Sequence, residues 1–420
     1  MEPRTMNESQ ERARYGAAAL AHLKGQLPNP FPRTMGPNAM SYLQEVVDSG
    51  LTGDLVGRFE QAFAAALGVK HCVATPGCTP ALALLAAALP GEPGDEIIVS
   101  PITDYGTLQG LFRQGFIPVF ADAAPGTVNV CVETIAPLIT DRTRAILCVH
   151  KTGLVCDMDP INELAARHGL FVYEDACQAV LSTYRGRVAG TLGRAAGFSF
   201  DSEKTLGSDV GGCVVTDEDA LAERLRFLGH SRGGLHKAGY GRVHTEPGYA
   251  LRMTQSTAAI TLAQLEILPE NVAQRDRMAR LLTCLVNEIP GVCALPIPDY
   301  QEVYSCWMFG ITLDSEQFAC GVASFADQLA EAGIPGAGMG AYYLIPEACT
   351  FLDEYAVARR FPFSQPPADR VYRYGPQNTP TAAAFLQRFI RWSTFCEKYT
   401  EEHCRLTAQI IGAVADANRV

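Results

Sequence analysis

The chain predicts an α/β fold: a mostly parallel seven-stranded sheet with helices on both faces, followed by a smaller α+β C-terminal domain. Two observations predict it. Seven short β-branched or apolar runs occur at Cys72–Thr75, Glu96–Ser100, Pro118–Ala121, Ala145–His150, Leu170–Glu174, Ala196–Phe200 and Cys213–Thr216, with helical patterns such as Ala81–Leu89 and Ile161–His168 between several of them. Near-continuous apolar strands separated by helices imply a parallel sheet, because the crossover helices cover both of its faces. Past Pro290 the character changes: Tyr304–Leu313 reads as a strand, Ala323–Ala332 as a helix and Ala382–Ala415 as helices closing the chain.

Taken in order, the elements divide the chain into three parts. Residues 1–49 form an N-terminal segment, with Pro28, Pro30 and Pro32 ahead of a helical Asn38–Asp48, expected to pack on the small domain or on a partner subunit. Residues 50–289 form the large domain, left by a long helix over Glu266–Ile289, and residues 290–420 form the small one. In an open parallel sheet ligands gather beyond the carboxyl ends of the strands. Thr79, Asp104 and Asp175 each follow a strand, so this topology lets them converge although they are far apart in sequence.

Composition narrows the function classes. A chain of 420 residues suits two cores rather than one. Its net charge of −11 is dispersed, where a nucleic-acid footprint needs clustered Lys and Arg. The 14 cysteines include no CxxC pair and are spread over predicted strands and helices, so they read as reduced thiols of a cytoplasmic protein. No apolar signal core stands at the start and no stretch is long enough to span a bilayer.

The chemistry centres on Lys204, which follows the sixth apolar run, and on the carboxyl pair Glu174-Asp175 at the end of the fifth. An amine and an anion on one sheet edge are what pyridoxal phosphate requires. The amine bonds the aldehyde carbon, and the carboxylate keeps the pyridine nitrogen protonated so that the ring accepts electrons released at the substrate's α-carbon. Once displaced, the lysine serves as general base. A lone lysine after a strand is ordinarily a solvated surface group. Here small or apolar residues precede it, glycines follow it, and Ser199 lies one strand-length upstream.

An ordered set of motifs then carries a family resemblance: Gly77-Cys78-Thr79, Gly94–Val99, Pro118–Asp122, Val149-His150 with Gly153 and Asp157–Asp159, Glu174–Gln178, Phe198–Phe200 with Lys204, and Gly211-Gly212. The set continues through Arg252–Thr254, Ala258-Ala259 and Gln264–Glu266. It resembles the DegT/DnrJ/EryC1/StrS family of fold-type-I, pyridoxal-phosphate-dependent aminotransferases of keto-sugars and cyclitols, well over residues 40–290 and loosely beyond. The resemblance makes Lys204 the Schiff-base lysine and Asp175 the partner of the pyridinium nitrogen. It places Gln178 near the ring hydroxyl, and Ser199 and Thr79 on the phosphate. It also implies a homodimer with shared active sites, the loop around His236 and His244 lying near the neighbour's cofactor, and a ping-pong reaction. An amino acid, glutamate or glutamine, would be the donor, and a keto-sugar or ketocyclitol the acceptor. Lysine rather than histidine at position 204 separates the chain from the related sugar dehydratases.

Three positions depart from the family pattern. Cys78 stands where the turn has glycine, Asp104 with Tyr105 beside it where many members stack an aromatic ring on the cofactor, and Ala250 where an asparagine reaches the partner's phosphate, leaving Arg252 or a basic residue of the loop His230–His244 as a substitute. Each site residue also has an ordinary role open to it. Ser199 would satisfy a backbone group, Thr79 would cap the helix at Pro80, Gln178 would be a helix-face amide, and Asp104 a turn residue. Cys78 and Cys177 read as small buried apolar groups, His150 as a satisfied histidine, and the spacing of His150 and Cys156 supports no metal site. Substrate choice is expected of the Pro-rich N-terminal segment, the loop Gly229–Tyr249 and the stretch Gly333–Pro346. Two other classes stay open: a pyridoxal-phosphate enzyme of another reaction type, such as a dehydrating cyclase or decarboxylase, and a non-catalytic regulatory protein on the same fold.

Overall fold

The computed structural model describes residues 24–420 except 231–234, 238, 240, 341–343 and 369. Seven strands form the main sheet: β1 (His71–Thr75), β2 (Glu96–Val99), β3 (Ile117–Phe120), β4 (Thr143–Val149), β5 (Phe171–Asp175), β6 (Ala195–Ser199) and β7 (Gly212–Thr216). Their spatial order is β1-β7-β6-β5-β4-β2-β3. All seven predicted runs are strands. Only β7 runs against its neighbours, pairing antiparallel with β1 and β6, while every other pairing is parallel.

Alternation along each strand sorts its residues between two covered faces. Val73, Val99, Leu147, Tyr173 and Val214 point into a core shared with the helices Cys78–Ala88, Tyr105–Arg113 and Asp219–Gly229. Their neighbours Cys72, Ala74, Phe198 and Val215 pack on the other face with the helix Leu55–Leu67 and the start of the long helix Gln255–Asn287. That long helix begins eleven residues before its expected start at Glu266, at a Thr254 cap whose hydroxyl accepts from the Thr257 N–H at 3.1 Å. It carries Pro269 inside it.

The C-terminal part contains a four-stranded antiparallel sheet in the order Val292–Ala294, Phe309–Leu313, Phe389–Trp392, Gly338–Met339. The stretch Ala382–Ala415, expected as helices closing the chain, does hold helices at Pro380–Leu386 and Glu401–Asn418, but the third strand of this sheet, which was not expected, lies between them. The run Phe389-Ile390-Arg391-Trp392 is rich in strand formers, and pairing with Phe309–Leu313 decides its state. The segment from Ile345 to Tyr374 turns back to pack on the main sheet's core, where Leu352, Phe363 and Tyr374 are buried. Leu27 joins the small sheet's core, and the Lys398 ammonium donates to the Asn29, Pro30 and Pro32 carbonyls. Among the described residues no helix is long and apolar enough to cross a membrane.

Candidate active site

The carboxyl ends of β1, β5 and β6 and the start of β7 meet on one rim of the sheet. Gly212 is paired with Thr75 on one side and Ser199 on the other. A Cβ there would lie 2.4 Å from the Gly77 carbonyl carbon, so the close approach of these turns requires glycine. Beyond the rim opens a cleft of about 470 Å³, walled by residues that include Cys78, Thr79, Asp104, Asp175, Gln178, Ser199, Lys204 and Trp307.

Period-two alternation separates the two carboxylates of β5. Glu174 faces away from the cleft and is wholly buried, accepting from the Gly190, Leu192 and Gly193 N–H groups at 2.6–2.7 Å and lying 2.7 Å from His150 Nε2. Burial alone would lower the His150 pKa, but hydrogen bonds with Cys156 and Glu174 raise it to about 10. Asp175 faces the cleft. The Thr107 hydroxyl donates to its Oδ2 at 2.7 Å and the Cys177 N–H to its Oδ1 at 3.3 Å, while the Thr103 hydroxyl stands 2.7 Å behind Thr107. These donors satisfy the buried carboxylate and fix its orientation toward the cleft.

Lys204 sits on the loop after β6, its N–H closing a turn onto the Asp201 carbonyl at 2.9 Å. Its Nζ lies 4.0 Å from the centroid of the Trp307 ring, whose Nε1 donates to the Glu203 carbonyl at 2.9 Å. Arg33 clasps the same loop from the N-terminal segment, Nε donating to the Ser202 carbonyl at 2.6 Å and Nη2 to that of Lys204. Gln178 is fixed through Oε1, which accepts from the Thr152 N–H at 2.7 Å.

The phosphate side is the N-terminus of the helix Cys78–Ala88, an Ala- and Leu-rich run that is strongly helix-forming. Its N-cap is Gly77, which has no side chain to occupy the first-turn N–H groups, so they face the cleft as an anion site. Because the helix starts at Cys78, Thr79 is inside the first turn and does not cap at Pro80. Its hydroxyl lies against Gly106, where an added Cβ would come within 2.4 Å. Ser199 lines the same cleft.

Of three further sequence candidates, one lines the cleft and two do not. Asp104 lines the cleft but caps the helix Tyr105–Arg113, accepting from the Gly106 N–H at 2.8 Å, which is its ordinary turn role. Tyr105 is 39% exposed and meets Phe351 edge-on at 6.0 Å, outside the cleft wall. Arg252 is exposed and is likewise not among the lining residues. In the loop Gly229–Tyr249, residues 231–234, 238 and 240 and the His236 side chain lie outside the described residues, as do 341–343 of Gly333–Pro346. His244 stacks near Phe227, with centroids 6.0 Å apart.

Sequence reasoning missed Thr107, Trp307 and Arg33. Thr107 carried a usable signal: it stands one helical turn after Asp104, on a helix that points its start at the strand ends. Trp307 and Arg33 carried none, since contacts between distant segments bring them to the lysine loop.

An amine, a hydrogen-bonded carboxylate and an open helix N-terminus on one cleft match an aldehyde, a ring nitrogen and a phosphate, so these residues fit pyridoxal phosphate. Cofactor and architecture together define the class, a pyridoxal-phosphate-dependent enzyme on the type I fold. The profile of the DegT/DnrJ/EryC1/StrS aminotransferase family matches residues 33–375, and the chain belongs to that family. It is therefore a pyridoxal-phosphate-dependent aminotransferase.

The chain is 38% identical over 277 residues to the spore coat polysaccharide biosynthesis protein SpsC of Bacillus subtilis, covering 63% of this chain and 70% of that protein. It is 33% identical over 293 residues to the GDP-perosamine synthase of Vibrio cholerae, covering 68% and 77%. Among solved structures, 3-amino-5-hydroxybenzoic acid synthase superposes with a TM-score of 0.79 at 27% identity, covering 93% of this chain and 98% of that one.

Proposed function

We propose that this aminotransferase moves the amino group of glutamate or glutamine to the ketone of a sugar or cyclitol, in a ping-pong cycle that serves sugar or natural-product biosynthesis. The observation that carries the reading is Lys204 Nζ in one cleft with the buried, hydrogen-bonded Asp175. Relatives named for perosamine synthesis and spore coat polysaccharide support a sugar acceptor. Bound pyridoxal phosphate supplies the electron sink for the bond broken at the substrate's α-carbon. Asp175 holds the proton on the ring nitrogen, and Thr107 and the Cys177 N–H keep its carboxylate in line. Lys204 Nζ anchors the cofactor at rest and, once released, carries the α-proton. Thr79, Ser199 and the first-turn amides of the helix Cys78–Ala88 hold the phosphate. We propose also that the enzyme works as a homodimer in the cytoplasm, a location supported by the free state of all 14 cysteines.

Incubating the protein with pyridoxal phosphate and a panel of amino acids tests this directly. Wild type is expected to show a visible band from lysine-bound cofactor that glutamate or glutamine bleaches, and Lys204→Ala is expected to lack both band and turnover. A wild type without the band, or a Lys204→Ala protein that keeps it, would overturn the reading. Full activity from a monomer in sedimentation would remove the dimer.

A further inference from the structure

No metal motif is legible in the spacing of the chain, but the fold assembles a ligand set. The turn after β1 and the turn after β5 bring Cys78 and Cys177 beside Asp175. One ligand atom from each, two Sγ and one carboxylate oxygen, lies within 4.8 Å of the others, and no second such group of His, Cys, Asp or Glu occurs among the described residues. All three residues line the cleft, so an ion reaches them from solvent. Tetrahedral zinc with sulfur at about 2.3 Å sets two thiolates just under ~4 Å apart, so closing around an ion needs only small side-chain movements. Two sulfurs and one oxygen select a thiophilic cation over magnesium or calcium, which take oxygen donors.

We propose that the cofactor-free cleft binds one divalent cation of the zinc or cadmium class through Cys78 Sγ, Cys177 Sγ and the Asp175 carboxylate, in competition with pyridoxal phosphate. Two S–H bonds break, two sulfur–metal bonds form, and two protons leave to solvent, with no change of oxidation state. Asp175 forces the competition, because the carboxylate that ligates the ion is the one that faces the ring nitrogen. Metal capture in this way blocks loading of the enzyme, and loading protects the thiols. The competition rests on the cofactor reading given above, whereas the metal site does not.

Cadmium is the probe, since its thiolate charge-transfer absorbance counts sulfur ligands directly. Cofactor-stripped protein titrated with cadmium is expected to saturate at one ion per chain in this cleft. The band is expected to vanish in the Cys78→Ser, Cys177→Ser double variant and to persist when the exposed Cys284 and Cys293 are changed to serine. Prior saturation with pyridoxal phosphate is expected to weaken cadmium binding at least ~10-fold. Circular dichroism establishes that the double variant is folded; if it is not, Cys177→Ala alone is expected to halve the band. A folded double variant with the full band overturns the site, and equal cadmium affinity with and without bound cofactor overturns the competition. Failure of the cofactor reading is separate: it shows as wild-type protein that gains no visible band from pyridoxal phosphate, while the thiol variants still decide the metal site.

Discussion

Around Asp175 and Lys204 the groups that touch the cleft are fixed from behind. Thr107, the Cys177 N–H, Trp307 and Arg33 come from four different segments to do so. Around Asp104, Tyr105 and Arg252 the side chains are exposed, and Asp104 is held by the helix it caps. The inner wall is therefore preorganised for one cofactor, while the outer wall is free to vary with substrate. Substitutions on the two walls should differ accordingly.

The largest effect is expected at Asp175. Asp175→Asn keeps the shape and the Thr107 contact but removes the charge opposite the ring nitrogen. We expect the rate of the half-reaction with the amino donor to fall on the order of 10²–10⁴-fold with the fold retained. Single-turnover absorbance measures it, and a loss under ~10-fold would show that the inner wall does not set the cofactor's electronics.

Next in size is the buried pair that shares a strand with Asp175. His150→Asn leaves Glu174 with its three N–H donors but without its cation, and removing one partner of a buried pair costs about 3–5 kcal/mol. The sign of its pH dependence follows from the raised pKa. The pair's contribution is complete below the unfolded histidine value near ~6.5. It is lost as pH rises toward the folded value of about 10. Wild-type thermal midpoints should therefore fall over that window more steeply than those of the variant.

Thr107→Val is isosteric and removes one hydrogen bond to Asp175. A loss of about 1–1.5 kcal/mol is expected, read as roughly 10-fold weaker turnover with cofactor still bound. An unchanged rate would mean that the Cys177 N–H alone suffices to hold the carboxylate.

How much of this contrast was legible beforehand follows the same division. The seven strands and the placing of Asp175, Lys204, Gln178, Ser199 and Thr79 on one rim are local patterns, carried by apolar runs and by spacing along the chain. The strand Phe389–Trp392, inside a stretch that reads as closing helices, is not legible locally because its state depends on pairing with a segment some 80 residues away. Trp307 and Arg33 were invisible for the same reason, as was the meeting of Cys78 with Cys177. Asp104, with Tyr105 beside it, stands where many family members stack an aromatic ring on the cofactor. Their backbone instead starts a helix, which directs the aspartate to its own N–H groups and the tyrosine to Phe351.

That leaves Tyr105 as the smallest and sharpest test of the outer wall. Its ring is 39% exposed and touches Phe351 rather than the cleft, so it has no buried surface whose loss would reach the cofactor. Tyr105→Ala is expected to change cofactor affinity less than ~2-fold and stability by about 0.5 kcal/mol or less. Trp307→Leu removes the ring 4.0 Å from Lys204 Nζ and frees the Glu203 carbonyl, and should weaken cofactor retention about 5- to 10-fold. Equal losses from the two variants, measured by cofactor release on dialysis, would erase the contrast. They would mean that Tyr105 turns inward when the cofactor binds, and that the aromatic cover missing from the outer wall is supplied by movement of the helix start rather than by Trp307.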